Sequence, residues 1–314
     1  MAQYFIKRLL MAVPVMGVVA VFVFLLLRLT PGDPAQVIAG DEATPAQLEA
    51  IRLSLGLDKP LLAQFFAWIS NLLQGDFGVS LISNKDVLGL IGQRIEPTLS
   101  LALAAMAITL VAALPMGVLA AWRHGRLLDR CVMIFSVLVF SAPVFVTGYI
   151  LIAVFAVDLK WFPVQGYRPI SDGFGPFLSR IFLPALALAS IYIALVARMT
   201  RASMLEVLNE DYVRTARAKG LGEIKVLFRH ALRNAAIPIL TVVGTGFAAL
   251  ISGVVVTESV FNIPGLGRLV VDAVLARDYP LIQAIILLTA GIYVVINLLI
   301  DLSYALTDPR VRYE

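Results

Sequence analysis

Residues Glu206–Pro238 read EVLNEDYVRTARAKGLGEIKVLFRHALRNAAIP, the longest polar interruption in the second half of a very apolar chain. Six arginines and lysines lie between Arg214 and Arg233, against one acid, Glu223. The stretch therefore places a basic surface between apolar segments. The fold of the chain depends on whether the apolar segments on either side of this stretch span a membrane.

Each half of this stretch can form a short helix. In the second half, apolar residues recur at the spacing of one helix face: Ile224, Leu227, Phe228, Ala231 and Leu232. The first half, residues 207–219, contains no helix-breaking residue. Gly220 and Gly222 lie between the halves, and glycine permits a positive φ angle or the close approach of another backbone. We predict two short helices joined by a glycine corner at a membrane surface.

The rest of the chain has the composition of an integral membrane protein. Of its 314 residues, 60% are apolar and 15% are charged, against about 25% charged in an average soluble domain. A spanning helix needs roughly 20 apolar residues, and six uncharged runs approach or exceed this length: Leu9–Leu27, Pro97–Trp122, Cys131–Val157, Ile181–Ala197, Ala235–Thr257 and Pro280–Ile300. We predict an all-α, polytopic protein with six transmembrane helices in a single domain, residues 1–314.

Two of these runs need a further remark. The first is longer than the apolar region of a usual signal peptide and lacks a cleavage site, so it is predicted to remain as a span. The run that ends at Ala197 is the shortest. It is expected to extend past Arg198, whose long side chain can reach the interface.

The basic residues are distributed unevenly about these spans. With the N-terminus in the cytoplasm, 15 of the 25 lysines and arginines fall in cytoplasmic segments, as the positive-inside bias requires. We predict that both termini are cytoplasmic, that residues 31–96 form an extracytoplasmic helical segment and that residues 198–235 form a cytoplasmic loop. Topology accounts for the basic residues, so no nucleic-acid partner is indicated.

The extracytoplasmic segment contains helix signals. Thr44-Pro45-Ala46-Gln47 has the form of a capping box with proline at the first helical position. We predict helices over residues 45–55, 60–74 and 86–95, with Gly56 ending the first.

Motifs of the common catalytic sites are missing. None of the six lysines follows a glycine, so the chain has no G-x-x-x-x-G-K-[ST] phosphate-binding loop. Neither His-Glu-x-x-His nor Gly-x-Ser-x-Gly occurs. The single cysteine, Cys131, cannot form a disulfide within the chain, and the two histidines lie in separate predicted loops. We predict no enzymatic activity, no metal site and no bound cofactor.

Several motifs resemble those of bacterial ABC-importer permeases of the dipeptide/oligopeptide branch. DYVRTARAKGL (residues 211–221), followed by RHALRNA and Pro238, resembles their cytoplasmic coupling loop. The broader family carries Glu-Ala-Ala, three residues and Gly. Only Ala216 and Gly220 of that pattern are retained here, which is the form of the peptide branch. The resemblance covers nearly the whole chain, with further motifs at residues 31–34, 75–80, 261–268, 277–280 and 308–310.

The resemblance implies a permease of the ABC importer type I-like fold in the bacterial inner membrane. It implies four kinds of contact: the bilayer, a second homologous permease subunit that makes a heterodimer, two cytoplasmic ATPase subunits that bind ATP and Mg, and an extracytoplasmic solute-binding protein. The residues implied to couple to the ATPase are Asp211, Tyr212, Arg214, Thr215, Ala216, Arg217, Ala218, Lys219, Gly220 and Leu221. Those implied to form a docking rim for the binding protein are Phe261, Pro264, Gly265, Gly267 and Arg268.

Other functions stay open at this point. The polar stretch is also compatible with an amphipathic interfacial loop. The chain could be a secondary transporter or channel that works without an ATPase, or a membrane-embedded enzyme. Ion-coupled carriers usually place ionisable groups inside the membrane, whereas Glu258 and Asp301 only bound the last spans. The substrate is not determined among dipeptides, oligopeptides, glutathione and nickel chelates.

Overall fold

The computed structural model describes residues 2–29, 35–36, 44–54 and 56–307, and this part of the chain is built from helices. They are α1 (Ala2–Leu29), α2 (Pro45–Ser54), α3 (Leu61–Leu73), α4 (Val87–Trp122), α5 (Leu127–Ser141), α6 (Val144–Leu151, continued by a π-helical turn over Ile152–Asp158), α7 (Phe174–Leu208), α8 (Asp211–Ala218), α9 (Glu223–Asn234), α10 (Ala236–Gly253), α11 (Val255–Val260), α12 (Leu266–Leu275) and α13 (Tyr279–Thr307). The predicted all-α class is confirmed. The motifs at residues 31–34 and 308–310 lie outside the described residues.

Among the residues that the structure describes, three helices are long and apolar enough to cross a membrane: Val87–Trp122, Phe174–Leu208 and Tyr279–Ser303. Two bent pairs bring the total to as many as five. α5 meets α6 with its π-helical turn at 102°, and α9 meets residues Ala236–Ile251 at 67°. The described apolar stretch of α1, Leu10–Leu26, is shorter. The count of six spans and the orientation of the termini therefore stay predictions.

The core of the bundle is the contact between α4 and α7. Its buried positions are rich in alanine, including Ala105 and Ala113 on α4 and Ala187 and Ala194 on α7, all with no exposed surface. Small residues let two helix backbones approach closely, which is how helices associate where lipid removes the hydrophobic driving force. This pair is the scaffold to which the loops on both sides are attached.

α7 continues past Arg198, as predicted, and ends at Leu208. However, the Arg198 side chain does not extend towards the C-terminal end of α7. Its Nε donates a hydrogen bond to the carbonyl of Ala194, 3.2 Å away. Side chains on a helix lean towards its N-terminus, so the guanidinium points back along the apolar run.

The predicted extracytoplasmic segment is helical as expected and packs on α1. The capping box is confirmed, because the Thr44 backbone N–H donates to Gln47 Oε1 at 2.9 Å. Phe65 of α3 lies against Phe24 of α1, with ring centroids 5.1 Å apart, and Trp68 lies 5.6 Å from the same ring. These contacts hold α3 against the first predicted span.

Three boundaries differ from the predictions. The helix expected over residues 86–95 is the first part of α4, capped by the Asp86 carboxylate, which accepts from the backbone N–H of Gly89 at 2.7 Å. The fourth predicted span, expected from the uncharged run that begins at Ile181, already begins at Phe174, because Pro176 is tolerated in the first turn of a helix. The polar loop predicted from residue 198 begins only after Leu208.

Candidate functional site

The polar stretch forms two helices joined by a short glycine-containing connection, and we call residues 209–235 the two-helix corner. α8 ends at Ala218 and is capped by Lys219. Gly220 follows with a φ of +75°, the conformation that the sequence predicts for one of the two glycines. Gly222 has an ordinary φ of −60°. Arg217 closes the corner by donating to both carboxylate oxygens of Glu223, at 2.7 and 3.3 Å. The corner is therefore held by its own residues.

A small apolar cluster fills the inside of the corner. Val213, Ala216 and Val226 are buried in it, and Leu221 packs against them. Two residues predicted to couple to an ATPase, Ala216 and Leu221, thus contribute to the packing of the corner itself.

The remaining predicted coupling residues are exposed on the outside of the corner: Asp211, Tyr212, Arg214, Thr215, Arg217, Ala218, Lys219 and Gly220. Tyr212 is 38% exposed beside the basic side chains. Arg214 pairs with Asp211 at 3.4 Å, with both side chains largely exposed, and such a pair contributes little to stability. These side chains are free to meet another protein.

The apolar face predicted for α9 is only partly correct. Leu227 and Ala231 are buried, but Ile224 is 77% exposed and Phe228 41% exposed. The reason is a π-helical turn over Val226–Ala231, which places residues five apart, instead of three or four, on one face. Exposed apolar side chains next to a charged surface are typical of an interaction site.

A buried ion pair that no sequence pattern predicts joins α7 to the first turn of α5. Asp129, only 3% exposed, receives hydrogen bonds from Arg201 at 2.5 and 2.9 Å and from the backbone N–H of Gly125 at 2.9 Å. His124 Nδ1 lies 3.0 Å from Arg201 Nη2. The only signal in the sequence is one acid in a basic turn, RHGRLLDR (residues 123–130).

At the other end of the bundle, the predicted docking rim surrounds a buried carboxylate. Glu258 has no exposed surface, and its two oxygens accept from the Thr98 hydroxyl at 2.6 Å and from the backbone N–H of Arg268 at 2.9 Å. Burial raises the pKa of the Glu258 carboxyl, and these hydrogen bonds oppose the shift. A Cβ at Gly265 would lie 1.9 Å from Glu258 Oε1. Glycine is therefore required for the loop to close over the carboxylate.

The rim residues are consequently less exposed than a docking surface would need. Phe261, Gly265 and Gly267 are buried, and Pro264 and Arg268 are half-buried. The Arg268 guanidinium donates to the side-chain oxygen of Asn262. Much of this motif thus serves to fold the loop.

A second buried carboxylate joins two more of the motifs. Asp278, in the run at residues 277–280, accepts from the Ser80 hydroxyl at 2.5 Å and from the backbone N–H of Leu81 at 3.2 Å. Ser80 ends the motif at residues 75–80. These two motifs therefore contact one another although nearly 200 residues separate them in sequence.

Long apolar helices packed through alanine, with polar loops at both ends, are the architecture of a polytopic membrane protein. The chain belongs to the family of binding-protein-dependent transport system inner membrane components, which matches residues 113–313. Residues 1–102 match the N-terminal membrane component of such systems. The chain is therefore the multi-pass permease subunit of a binding-protein-dependent importer and not an enzyme.

Named relatives match over the whole length of both chains. A probable peptide ABC transporter permease protein, y4tP, from Sinorhizobium fredii is 53% identical over 313 residues. A putative peptide transport system permease protein from Brucella abortus and the glutathione transport system permease protein GsiC from Escherichia coli are each 46% identical over 314 residues.

A solved structure supports the fold. A chain of the MetNI methionine ABC transporter, in an inward-facing conformation, is similar with a TM-score of 0.59 at 17% sequence identity. The match covers 70% of this chain and 97% of that chain.

Proposed function

We propose that this chain forms, with a second and different permease chain, the translocation path of an ATP-driven importer for peptides or the related tripeptide glutathione. The solute class is supported by the names of the full-length relatives, which are peptide and glutathione permeases. ATP and Mg are bound by two separate ATPase subunits, in keeping with the missing phosphate-binding loop.

The observation that carries the proposal is the two-helix corner. Its interior is packed and its hinge is closed by the Arg217–Glu223 pair, while its outer side presents Tyr212, Ile224 and Phe228 among basic residues. A rigid, half-apolar projection is suited to insertion into a cleft of a partner protein, because little ordering entropy is lost when it binds. We assign this projection as the contact with the ATPase.

Movement of the ATPase reaches the bundle through α7. Only two residues, Asn209 and Glu210, separate α7 from α8 of the corner, and α7 packs along α4. The Asp129–Arg201 pair adds α5 to the same unit. A displacement of the corner therefore moves the helices that surround the path, which opens to one side of the membrane and then to the other.

The solute-binding protein delivers solute at the opposite side, against the loops clasped by Glu258 and Asp278. The exposed parts of these loops, among them Asn262 and Arg277, are the candidates for contact. The buried rim residues act on docking indirectly by fixing the shape of the loops.

Reconstitution of the complete complex tests this function. The permease is purified with its native partners, placed in proteoliposomes and supplied with the solute-binding protein and a radiolabelled tripeptide. We expect uptake that requires both ATP and the binding protein. Uptake by the permease chain alone, with no ATPase present, would instead identify a secondary transporter or channel.

A further inference from the structure

The third predicted span is broken inside its apolar run. α5 ends at Ser141, α6 begins at Val144, and the two helices meet at 102°. Pro143 has no N–H and so cannot continue the hydrogen-bond ladder. Non-helical backbone at membrane depth is tolerated only where it is buried in protein or lines a water-filled cavity. Ser141 and Pro143 are exposed on the surface of this chain, so the break faces either the second permease or the path.

A cation lies beside this break. The Arg198 guanidinium carbon is 4.9 Å from the centre of the Phe140 ring, one residue before the end of α5. The hydrogen bond from Arg198 Nε to the Ala194 carbonyl holds the side chain in this position. Both neighbours belong to uncharged runs, Cys131–Val157 and Ile181–Ala197. The guanidinium therefore lies where these two uncharged runs meet, one helix turn from Arg201.

Arg198 has no anionic partner among the residues that the structure describes. Its hydrogen bond there is to the Ala194 carbonyl, and its cation–π contact is with the Phe140 ring. Arg201, one turn further along α7, donates two hydrogen bonds to Asp129. A charge at membrane depth is costly, and such residues usually face a bundle interior or a water-filled cavity and mark solute paths. An anion is thus the group that this site lacks.

We propose that Arg198, stacked on Phe140 at the break between α5 and α6, binds a carboxylate of the solute as it crosses the membrane. The guanidinium presents its donors in a planar fork that matches a carboxylate. Phe140 is 49% exposed and offers an apolar surface beside it. The inference rests on the proposed function in one respect, because every peptide with a free C-terminus brings such a group.

Uptake of paired peptides tests the charge of the ligand. The complete complex is reconstituted with Arg198→Gln, Arg198→Lys or Arg126→Gln, the last removing an exposed charge elsewhere. The probes are a tripeptide and its C-terminal amide, both first shown to bind the solute-binding protein. We expect Arg198→Gln to lower uptake of the free acid about tenfold, the size of a lost charge-assisted hydrogen bond, and to leave uptake of the amide unchanged. Arg198→Lys should retain part of the activity.

Equal losses for the acid and the amide would overturn the proposal, because they would indicate a structural role. Unchanged uptake of both probes would overturn it as well. Size-exclusion chromatography confirms that each variant complex is assembled before uptake is measured.

Thiol chemistry tests the position of the site without any solute. In a Cys131→Ser background, Ser141→Cys is treated with an anionic and a cationic methanethiosulfonate, and each rate is divided by the rate of that reagent with a free thiol. We expect Ser141→Cys to react several-fold faster with the anionic reagent, and we expect Arg198→Gln to abolish this preference. Val111→Cys, at an exposed position on α4, should not react. A Ser141→Cys thiol as unreactive as Val111→Cys would overturn the proposal.

A wild-type complex that transports neither peptide would refute the proposed function, whereas the thiol result would still decide whether Arg198 faces water.

Discussion

Replacing Gly220 with alanine tests whether the shape of the two-helix corner matters to coupling. Gly220 has a φ of +75°, where an L-residue costs roughly 1–2 kcal/mol. A Cβ there would meet nothing within 4 Å in this chain, so the entire cost is conformational. Gly222 supplies a matched control, since its φ is −60° and its surroundings are equally open. Both substitutions restrict the unfolded chain to the same degree, so that term cancels when the two variants are compared.

The expected effect follows from this strain. A cost of about 1–2 kcal/mol changes an equilibrium by a factor of about 5–30, so the fraction of corners in the docking geometry falls by that factor. We expect Gly220→Ala to lower coupled uptake and ATPase association by up to this amount, and Gly222→Ala to lower neither. Gly220→Val should be worse, because its branched side chain also has to enter the proposed cleft.

The assay is uptake and ATP hydrolysis in proteoliposomes, with complex integrity followed by size-exclusion chromatography. Both quantities are measured over a range of ATPase concentration, so that weaker association is separated from poorer coupling. If Gly220→Ala and Gly222→Ala behave alike, with normal coupled uptake, the corner is not a docking element. An interfacial helix would then be the better interpretation of this stretch.

Three other results are expected. Asp129→Asn should lower the thermal stability of the purified chain, because it removes the charge that accepts two hydrogen bonds from Arg201, and differential scanning fluorimetry measures the change; an unaltered melting temperature would contradict it. Gly265→Ala should reduce the amount of assembled complex, since its Cβ would collide with Glu258, and a normal yield would show that the loop can adjust. With an impermeant thiol reagent on intact cells, Lys59→Cys should be labelled and Thr215→Cys should not, and the reverse pattern would exclude the predicted topology.

Local signals in the sequence predicted the helices well. The Thr44–Gln47 capping box begins α2, and Gly56 and Gly220 both adopt the positive φ expected after a helix. These features depend on residues within one turn of each other. The face of α9 was predicted less well, because a period of 3.6 residues fails where a π-helical turn intervenes, and Ile224 becomes exposed.

The polar connections could not be predicted because their partners are far apart in sequence. Glu258 was interpreted as an interfacial acid, and its buried partner Thr98 is 160 residues away. Ala216 shows that a resemblance in sequence also does not reveal which residues of a motif are buried. The resemblance assigns it to coupling, yet it is buried against Val213 and Val226. An Ala216→Asp substitution would thus damage the corner itself, and its effect could not be attributed to docking.

The distinction between a structural and a functional role also decides how a loss of stability in Asp129→Asn is interpreted. Breaking a buried ion pair by removing one partner costs roughly 3–5 kcal/mol, because the other charge is left uncompensated, whereas replacing both partners with apolar residues can be neutral. A drop in stability with Asp129→Asn alone therefore measures the cost of leaving Arg201 without its carboxylate. Only an apolar replacement of both residues shows what the connection itself does. If that double variant is stable and assembled but transports poorly, the pair transmits movement from α7 to α5; if it transports normally, the pair serves folding alone.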